Sequence, residues 1–135
     1  MADDVVKAMA EERDAAAVRL VHRPADGDDA RPLASDVETA TTFLARARGL
    51  MFRRSIPTEY ALVFEFDDAA RRSLHMLFVP FPIDALFLVD DEVETVERLD
   101  AWTGLAWGRA DTVVELPAGA AADVSDGDTV RIVEE

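Results

Sequence analysis

The stretch IDALFLVDDEVETVERL, residues 83–99, predicts the architecture of the chain. Its first part, residues 83–89, is short and apolar apart from one Asp, whereas residues 93–99 alternate apolar and polar side chains. Segments of these two kinds are typical of a buried strand and a half-buried strand. The acidic residues 90–92 join them as a tight connection. We therefore expect strands to dominate the fold.

Short apolar or alternating segments also recur on both sides of this stretch. Turn-forming residues separate several of them, and the run Pro-Ala-Asp-Gly-Asp-Asp at residues 24–29 is the clearest, since Pro fixes φ and Asp-Gly tolerates positive φ. The further strands are predicted at residues 15–22, 31–40, 61–66, 73–78, 112–116 and 129–133.

One helix interrupts this pattern. Phe43, Leu44 and Ala47 repeat at helical spacing, which predicts a helix over residues 43–49 that ends at Gly49. The predicted fold class is therefore α+β and mainly β: a compact, barrel-like sheet of short strands with one main helix.

The length bounds the number of domains. The chain has 135 residues, which suits one domain. Residues 1–14 are predicted to form either a short polar helix or a frayed segment, and residues 15–135 a single domain. The chain has no Cys, which excludes disulfides, thiol catalysis and thiolate metal sites.

The charge is strongly acidic. With 28 Asp and Glu against 14 Lys and Arg, the net charge is −14. Such a surface repels nucleic acid and anionic lipid, so we expect neither as a partner. The excess of Asp, with Lys7 as the one lysine, resembles proteins of halophiles that accumulate salt. The N-terminal residues are acidic where a signal peptide needs a basic start, and no run approaches the ~18 apolar residues of a membrane helix. We therefore expect a soluble, cytoplasmic protein.

Four short motifs follow one another along the chain: Gly-Leu-Met-Phe-Arg at 49–53, Met76 with Pro82 and Asp84, Val-Glu-Leu-Pro-Ala-Gly at 114–119, and Gly-Asp at 127–128. In this order they resemble the domain-of-unknown-function family 192 (DUF192), over about residues 33–133. The resemblance implies a small α+β domain, often found alone and sometimes exported, and it implies no particular reaction. The acidic composition predicts a haloarchaeal-like member of that family.

The chain departs from the family pattern at residues 75–79. Many members have Trp-Met-Lys-Asn-Thr there, whereas this chain has His-Met-Leu-Phe-Val. Residues 61–62 are likewise Ala-Leu where the family usually has Gly-Met. If the polar run serves a ligand in relatives, that role is lost or altered here.

Asp84 is the first candidate site residue, because a carboxylate in an apolar strand must be paired or reach solvent. It either orients a ligand or acts as a general base, or it forms an ion pair with Arg48 or Arg53 that holds the helix end to the sheet. Arg48 and Arg53, the two arginines that match the family signature, either contribute to an anion site or complement the helix dipole.

Glu115, Trp102 and Trp107 complete the candidates. Glu115 alternates with apolar residues and is either a surface position or a second carboxylate near Asp84. The two indoles lie on a Gly-containing segment between strands, where they either stack on a ligand or partner, or cap the core.

No pattern points to a metal, a cofactor or a nucleophile. His75 and Met76 are ligand types for Cu(I), but adjacent strand residues point to opposite faces. A phosphate-binding Gly-rich loop, a G-x-S-x-G elbow and an H-E-x-x-H motif are absent from the sequence. We therefore expect no cofactor, no metal and no catalytic residue.

The leading hypothesis is a non-enzymatic module that binds a small molecule or a protein, with Trp102, Trp107, Arg48, Arg53 and Asp84 around one groove. The alternative is a small hydrolase or carbohydrate-active enzyme that uses Asp84 with Glu115, which requires the two carboxylates to lie roughly 5–10 Å apart across a cleft. A scaffold for a homo-oligomer would need an exposed apolar patch of more than a few hundred Å².

Overall fold

The computed structural model describes residues 18–27, 29–40 and 49–134, and strands form its regular structure. The eight strands are β1 (Val18–Arg23), β2 (Arg31–Ala34), β3 (Asp36–Ala40), β4 (Tyr60–His75), β5 (Ile83–Val89), β6 (Glu92–Leu99), β7 (Leu105–Pro117) and β8 (Thr129–Glu134). No helix long and apolar enough to span a bilayer occurs in this described part.

The predicted α+β class is wrong for the residues that the structure describes. They contain no helix, and 60% of them lie in strands. Residues 43–48 of the predicted helix, like the segment 1–14, lie outside the described residues, and Gly49 lies in a turn. The predicted barrel is also wrong, because the eight strands form one open sheet.

The two edges of the sheet are not paired with each other in the described ranges, so the sheet is open. The order is β2-β1-β8-β6-β5-β7-β4-β3, so β2 and β3 form its two edges although only Ser35 separates them in sequence. Within the described ranges, β2 pairs only with β1, and β3 pairs in parallel with β4. The predicted single strand over 31–40 is therefore two strands that turn to opposite edges at Ser35.

The central strands are buried on both faces. Successive residues of a strand point to opposite faces, and along β4 the odd and even positions join different apolar clusters. One face carries the first cluster, with Leu62, Phe64, Ala85, Phe87 and Val113 at its centre. The other face carries the second cluster, which includes Ala61, Val63, Leu86, Val114 and Leu116.

Two strands are longer than the sequence predicts. The segments predicted at 61–66 and 73–78 form one strand of 16 residues, whose pairing with β7 is irregular between Glu65 and Ala70. The charged residues 67–68 and 71–72 interrupt the apolar pattern without ending the strand, since these positions lie beyond the doubly buried part of the sheet. The β7 partner begins at Leu105 rather than at Thr112.

Past this irregularity, residues 70–75 of β4 and 105–110 of β7 form an antiparallel pair that we call the terminal ribbon. Gly108 lets the ribbon lie against the core: a Cβ there would come within 2.7 Å of Cγ of Phe87. Ala106 and Ala110 point to the same side and are buried in the first cluster. The opposite face of the ribbon is exposed.

Candidate functional site

Asp84 lies on β5, opposite Arg98 of β6, and only 3% of its surface is exposed. Oδ1 accepts a hydrogen bond from Nε of Arg98. Oδ2 accepts from the backbone N–H groups of Gly119 and Ala121, both at 2.9 Å. The carboxylate therefore anchors the loop after β7, and its ion-pair partner is Arg98 rather than Arg53.

Glu115 is buried, with 4% exposure, and it lies on β7 opposite Leu62 and Ala85, which belong to the first cluster. Burial raises the pKa of Glu115 to about 8, although the positive charge of Arg53 opposes the shift. A carboxyl group in this setting holds its proton near neutral pH.

Arg53 belongs to a three-residue network beside Glu115. Nη2 donates to Oε2 of Glu38 at 2.8 Å and Nη1 donates to the hydroxyl of Tyr60 at 2.9 Å. The Tyr60 hydroxyl donates to the same Glu38 oxygen at 2.5 Å. Burial and this hydrogen bond raise the pKa of Tyr60. Burial lowers the pKa of Arg53, but the hydrogen bonds and charge interactions with Glu38 and Tyr60 together outweigh it, and the net shift is upward. Arg48, the other predicted arginine, lies outside the described residues.

Asp84 and Glu115 lie on opposite faces of the sheet. Asp84 is paired with Leu116 and Glu115 with Ala85 on the adjacent strand. Paired residues share a face and consecutive residues alternate, so Glu115 points into the first cluster and Asp84 away from it. The structure thus does not bring Arg53 and Asp84 into one groove, nor the two carboxylates into one cleft.

Both predicted tryptophans are about half exposed: Trp102 at 54% and Trp107 at 51%. Trp102 lies in the loop between β6 and β7, where its backbone N–H donates to the carbonyl of Val79 at 3.0 Å. Trp107 lies on the exposed face of the terminal ribbon, opposite Ser73. The ring of neither tryptophan fills the core.

Sequence reasoning missed two further exposed aromatic residues. Phe52 and Phe78 are 65% and 47% exposed, and their rings stack with centroids 5.0 Å apart. The backbone N–H of Phe52 donates to the carbonyl of Phe78 at 2.8 Å. Leu77, beside them, is 56% exposed. We call Phe52, Leu77, Phe78 and Trp102 the aromatic end. The sequence contained a sign of this exposed apolar surface, because residues 77–78 are Leu and Phe where many members of the family have Lys and Asn.

The three aromatic residues of this end share an unusual backbone. Phe52, Phe78 and Trp102 have φ of 68°, 61° and 66°. This left-handed region is uncommon for any residue other than glycine and is unfavourable for bulky side chains. Asp90 and Asp91, the other described non-glycine residues with positive φ, form the tight turn between β5 and β6.

Asp128, in the last family motif, forms a second buried polar cluster with His22. Nε2 of His22 lies 2.8 Å from Oδ2 of Asp128, which also accepts from the N–H of Ser125 at 2.9 Å. Oδ1 accepts from the N–H of Ala25. Burial alone would raise the pKa of Asp128, but these hydrogen bonds together lower it. The cluster ties β1 and the turn that follows it to the turn before β8.

No group of three or more His, Cys, Asp or Glu side chains arranged to hold a metal ion occurs in the ranges that the structure describes. Nδ1 of His75 accepts a hydrogen bond from the N–H of Leu77 at 3.2 Å. This imidazole therefore helps to shape the turn that presents Leu77.

Comparisons with known proteins agree with the resemblance seen in the sequence. The model of DUF192, described as an uncharacterised ACR, matches residues 25–132. No curated protein matches the chain.

Two similar crystal structures come from Sinorhizobium meliloti and Novosphingobium aromaticivorans. The first, a protein provisionally described as a transcription regulator, has 25% identity and a TM-score of 0.71, with 84% of this chain and 92% of that chain covered. The second, of unknown function, has 23% identity and a TM-score of 0.70, with coverages of 84% and 83%.

Proposed function

The chain belongs to DUF192, a family described only as uncharacterised, and from this premise we propose that it is a non-enzymatic binding module that docks a segment of another protein on its aromatic end. The observation that carries the proposal is the left-handed backbone of three exposed aromatic residues, Phe52, Phe78 and Trp102. Strain of this kind concentrates at functional sites.

The energetic cost of this backbone conformation is not offset within the free protein. A left-handed residue costs roughly 1–2 kcal/mol relative to the ordinary helical region. An exposed ring gains little from burial within the chain, so folding alone offers no compensation at these positions. Binding offers one, because an aromatic ring that becomes covered by a partner gains the burial energy that the free protein lacks.

The exposed area is large enough for a docking surface. An aromatic side chain carries roughly 150–250 Å², so these three rings and that of Trp107 expose roughly 300–500 Å² at about half exposure. The largest apolar patch on a typical monomer is about 300–600 Å² and is often functional. A protein segment is therefore a better match than a small molecule, which a concave pocket would enclose.

The hydrolase alternative is not favoured by any contact in the described residues. Asp84 is occupied by Arg98 and two backbone N–H groups, and Glu115 is buried on the other face of the sheet. Two carboxylates on one substrate would need a shared cleft. We therefore keep a binding role as the proposal and assign no catalytic residue.

Replacement of Trp102 or Phe78 by glycine is expected to abolish docking without lowering stability. Glycine adopts positive φ at no steric cost, so the melting temperature should stay the same or rise slightly. Binding partners are to be selected from a displayed library of random peptides. We expect peptides enriched in aromatic and aliphatic residues, whose binding is lost in both variants.

The control is Val133→Gly on β8, which removes an exposed apolar side chain from a strand that carries no residue of the aromatic end. It should leave the affinity of a selected peptide unchanged. Selected peptides that bind Trp102→Gly and Phe78→Gly as tightly as the unmodified protein would refute the proposal. A concentration-dependent dimer that Trp102→Gly dissociates would assign this surface to a second copy instead.

The setting in which the module works is also a proposal. The net charge of −14 and the near absence of lysine support a cytoplasm rich in salt, with no nucleic-acid or membrane partner. The Debye length grows from about 3 Å at 1 M salt to about 10 Å at 0.1 M. Repulsion between carboxylates should therefore loosen the fold as salt is removed, and the melting temperature should fall by several degrees between these concentrations of KCl. A flat melting temperature would end the halophile interpretation.

A further inference from the structure

We propose that the exposed face of the terminal ribbon recognises carboxylates, so that the docked partner is an extended acidic segment with an aromatic or aliphatic residue. This inference rests on the proposed function, since it assigns the chemistry of the segment that docks on the aromatic end.

The geometry of the ribbon places two arginines side by side. Arg71 lies directly opposite Arg109, and Ser73 lies opposite Trp107. All four are exposed, and alternation along the two strands puts them on the same face. Leu105 continues this face toward the end of the ribbon.

Opposed like charges in a sheet are unfavourable, and nothing in the described part of the chain offsets this pair. Neither Arg71 nor Arg109 forms an ion pair there. The acid nearest to Arg109 along β7 is Asp111, whose oxygens accept from the N–H of Asp90 and the hydroxyl of Thr112. The neighbouring Arg72 differs, since it contacts Asp68 and the ring of Phe66.

Two guanidinium groups without an ion pair among residues 18–27, 29–40 and 49–134 are unexpected on a chain with twice as many acidic as basic side chains. Guanidinium binds carboxylate through two parallel hydrogen bonds, and a carboxylate between these two arginines would relieve their repulsion. Trp107, two residues from Arg109 on the same face, offers an indole beside that position.

The ribbon and the aromatic end adjoin each other. The N–H of Met76 donates to the carbonyl of Gly104 at 3.0 Å, and this bond closes the ribbon where both surfaces begin. The N–H of Leu77 donates to Nδ1 of His75. A partner segment lying across this junction can place an apolar side chain on the aromatic end and a carboxylate on the arginine pair.

Charge complementarity selects the acidic segment over other occupants. A symmetric dimer centred on the arginine pair would bring like charges of two copies together. A long polyanion such as nucleic acid would meet the repulsion of the whole chain at a net charge of −14. A short acidic segment needs to approach only the ribbon.

The test compares two synthetic peptides by calorimetric titration at the lowest salt that keeps the protein folded. One peptide alternates glutamate with phenylalanine, and the other alternates glutamine with phenylalanine. We expect the acidic peptide to bind about tenfold more tightly, a ratio that corresponds to about 1.4 kcal/mol. In the double variant Arg71→Ser with Arg109→Ser, the two peptides should bind equally. The double variant Arg23→Ser with Arg131→Ser, which removes the same charge from exposed positions on β1 and β8, is the charge-matched control and should keep the preference.

Four other results of these titrations would contradict the inference. Equal binding of both peptides to the unmodified protein would leave the docking function standing and refute the acidic preference. A preference that survives in the double variant would place carboxylate recognition elsewhere. Displacement of the acidic peptide by single-stranded oligothymidylate, but not by polyglutamate, would show a nucleic-acid surface. Failure of both peptides to bind would count against the inference and the docking function together.

Discussion

Asp84→Ala is expected to lower the free energy of unfolding by about 3 kcal/mol, and the melting temperature by roughly 10 °C for a domain of this size. The carboxylate accepts hydrogen bonds from the N–H groups of Gly119 and Ala121. An unsatisfied buried donor costs about 1–3 kcal/mol. Loss of the contact with Arg98 adds little, because that side chain is 57% exposed.

Two further variants separate the contribution of the backbone hydrogen bonds to Asp84 from that of its ion pair with Arg98. Asp84→Asn keeps one acceptor oxygen and should cost less than Asp84→Ala, while Arg98→Ala should cost less than about 1 kcal/mol. Thermal unfolding of the three proteins provides the comparison. A fully stable Asp84→Ala that no longer binds a selected peptide would show that Asp84 acts in binding rather than in holding the loop after β7.

Glu115→Gln is expected to stabilise the protein at alkaline pH by about 2–4 kcal/mol. The folded-state pKa of about 8 exceeds the ordinary value of 4.5, so the folded chain holds a proton that the unfolded chain has released. Between these two pH values the stability of the unmodified protein falls as pH rises, at up to roughly 1.4 kcal/mol per pH unit. Below 4.5 the group is neutral in both states and costs nothing.

The measurement is urea unfolding of the Glu115→Gln variant and the unmodified protein across this pH range. Their stabilities should converge in acid and diverge up to pH about 8, because glutamine carries no charge at any pH. Glu94→Gln, at an exposed position of β6, removes the same charge and serves as control. A constant difference between Glu115→Gln and the unmodified protein would mean that Glu115 stays ionised in the folded state.

The sequence predicts the sheet where local patterns suffice. Residues 83–89 and the neighbouring 93–99 are apolar or alternating throughout, and β5 and β6 match them within one residue. The split at Ser35 was not predictable in the same way, because β2 pairs with β1 before it and β3 with β4 after it, and no local pattern marks where the pairing changes. The length of β4 was hidden by charged residues that the ribbon exposes.

For the site residues too, the local sequence predicts which residues matter but not where their side chains lie. Their apolar neighbours in the sequence single out Asp84 and Glu115. The faces of the sheet to which the two side chains point depend on the pairing of β5 with β7, which no local sequence pattern contains. Arg98, the partner of Asp84, lies opposite it only because β5 and β6 form a hairpin. The left-handed φ of Phe52, Phe78 and Trp102 has no sequence signature, since glycine is the residue normally associated with it.

The most direct test of the docking surface is to map a selected peptide on the protein by amide chemical-shift perturbation. We predict shifts concentrated in residues 50–53, 76–79 and 101–107, the segments that carry the aromatic end and the adjoining ribbon. Shifts confined to other parts of the sheet, such as the cleft beside His22 and Asp123, would contradict the account and move the binding site away from the strained aromatic residues.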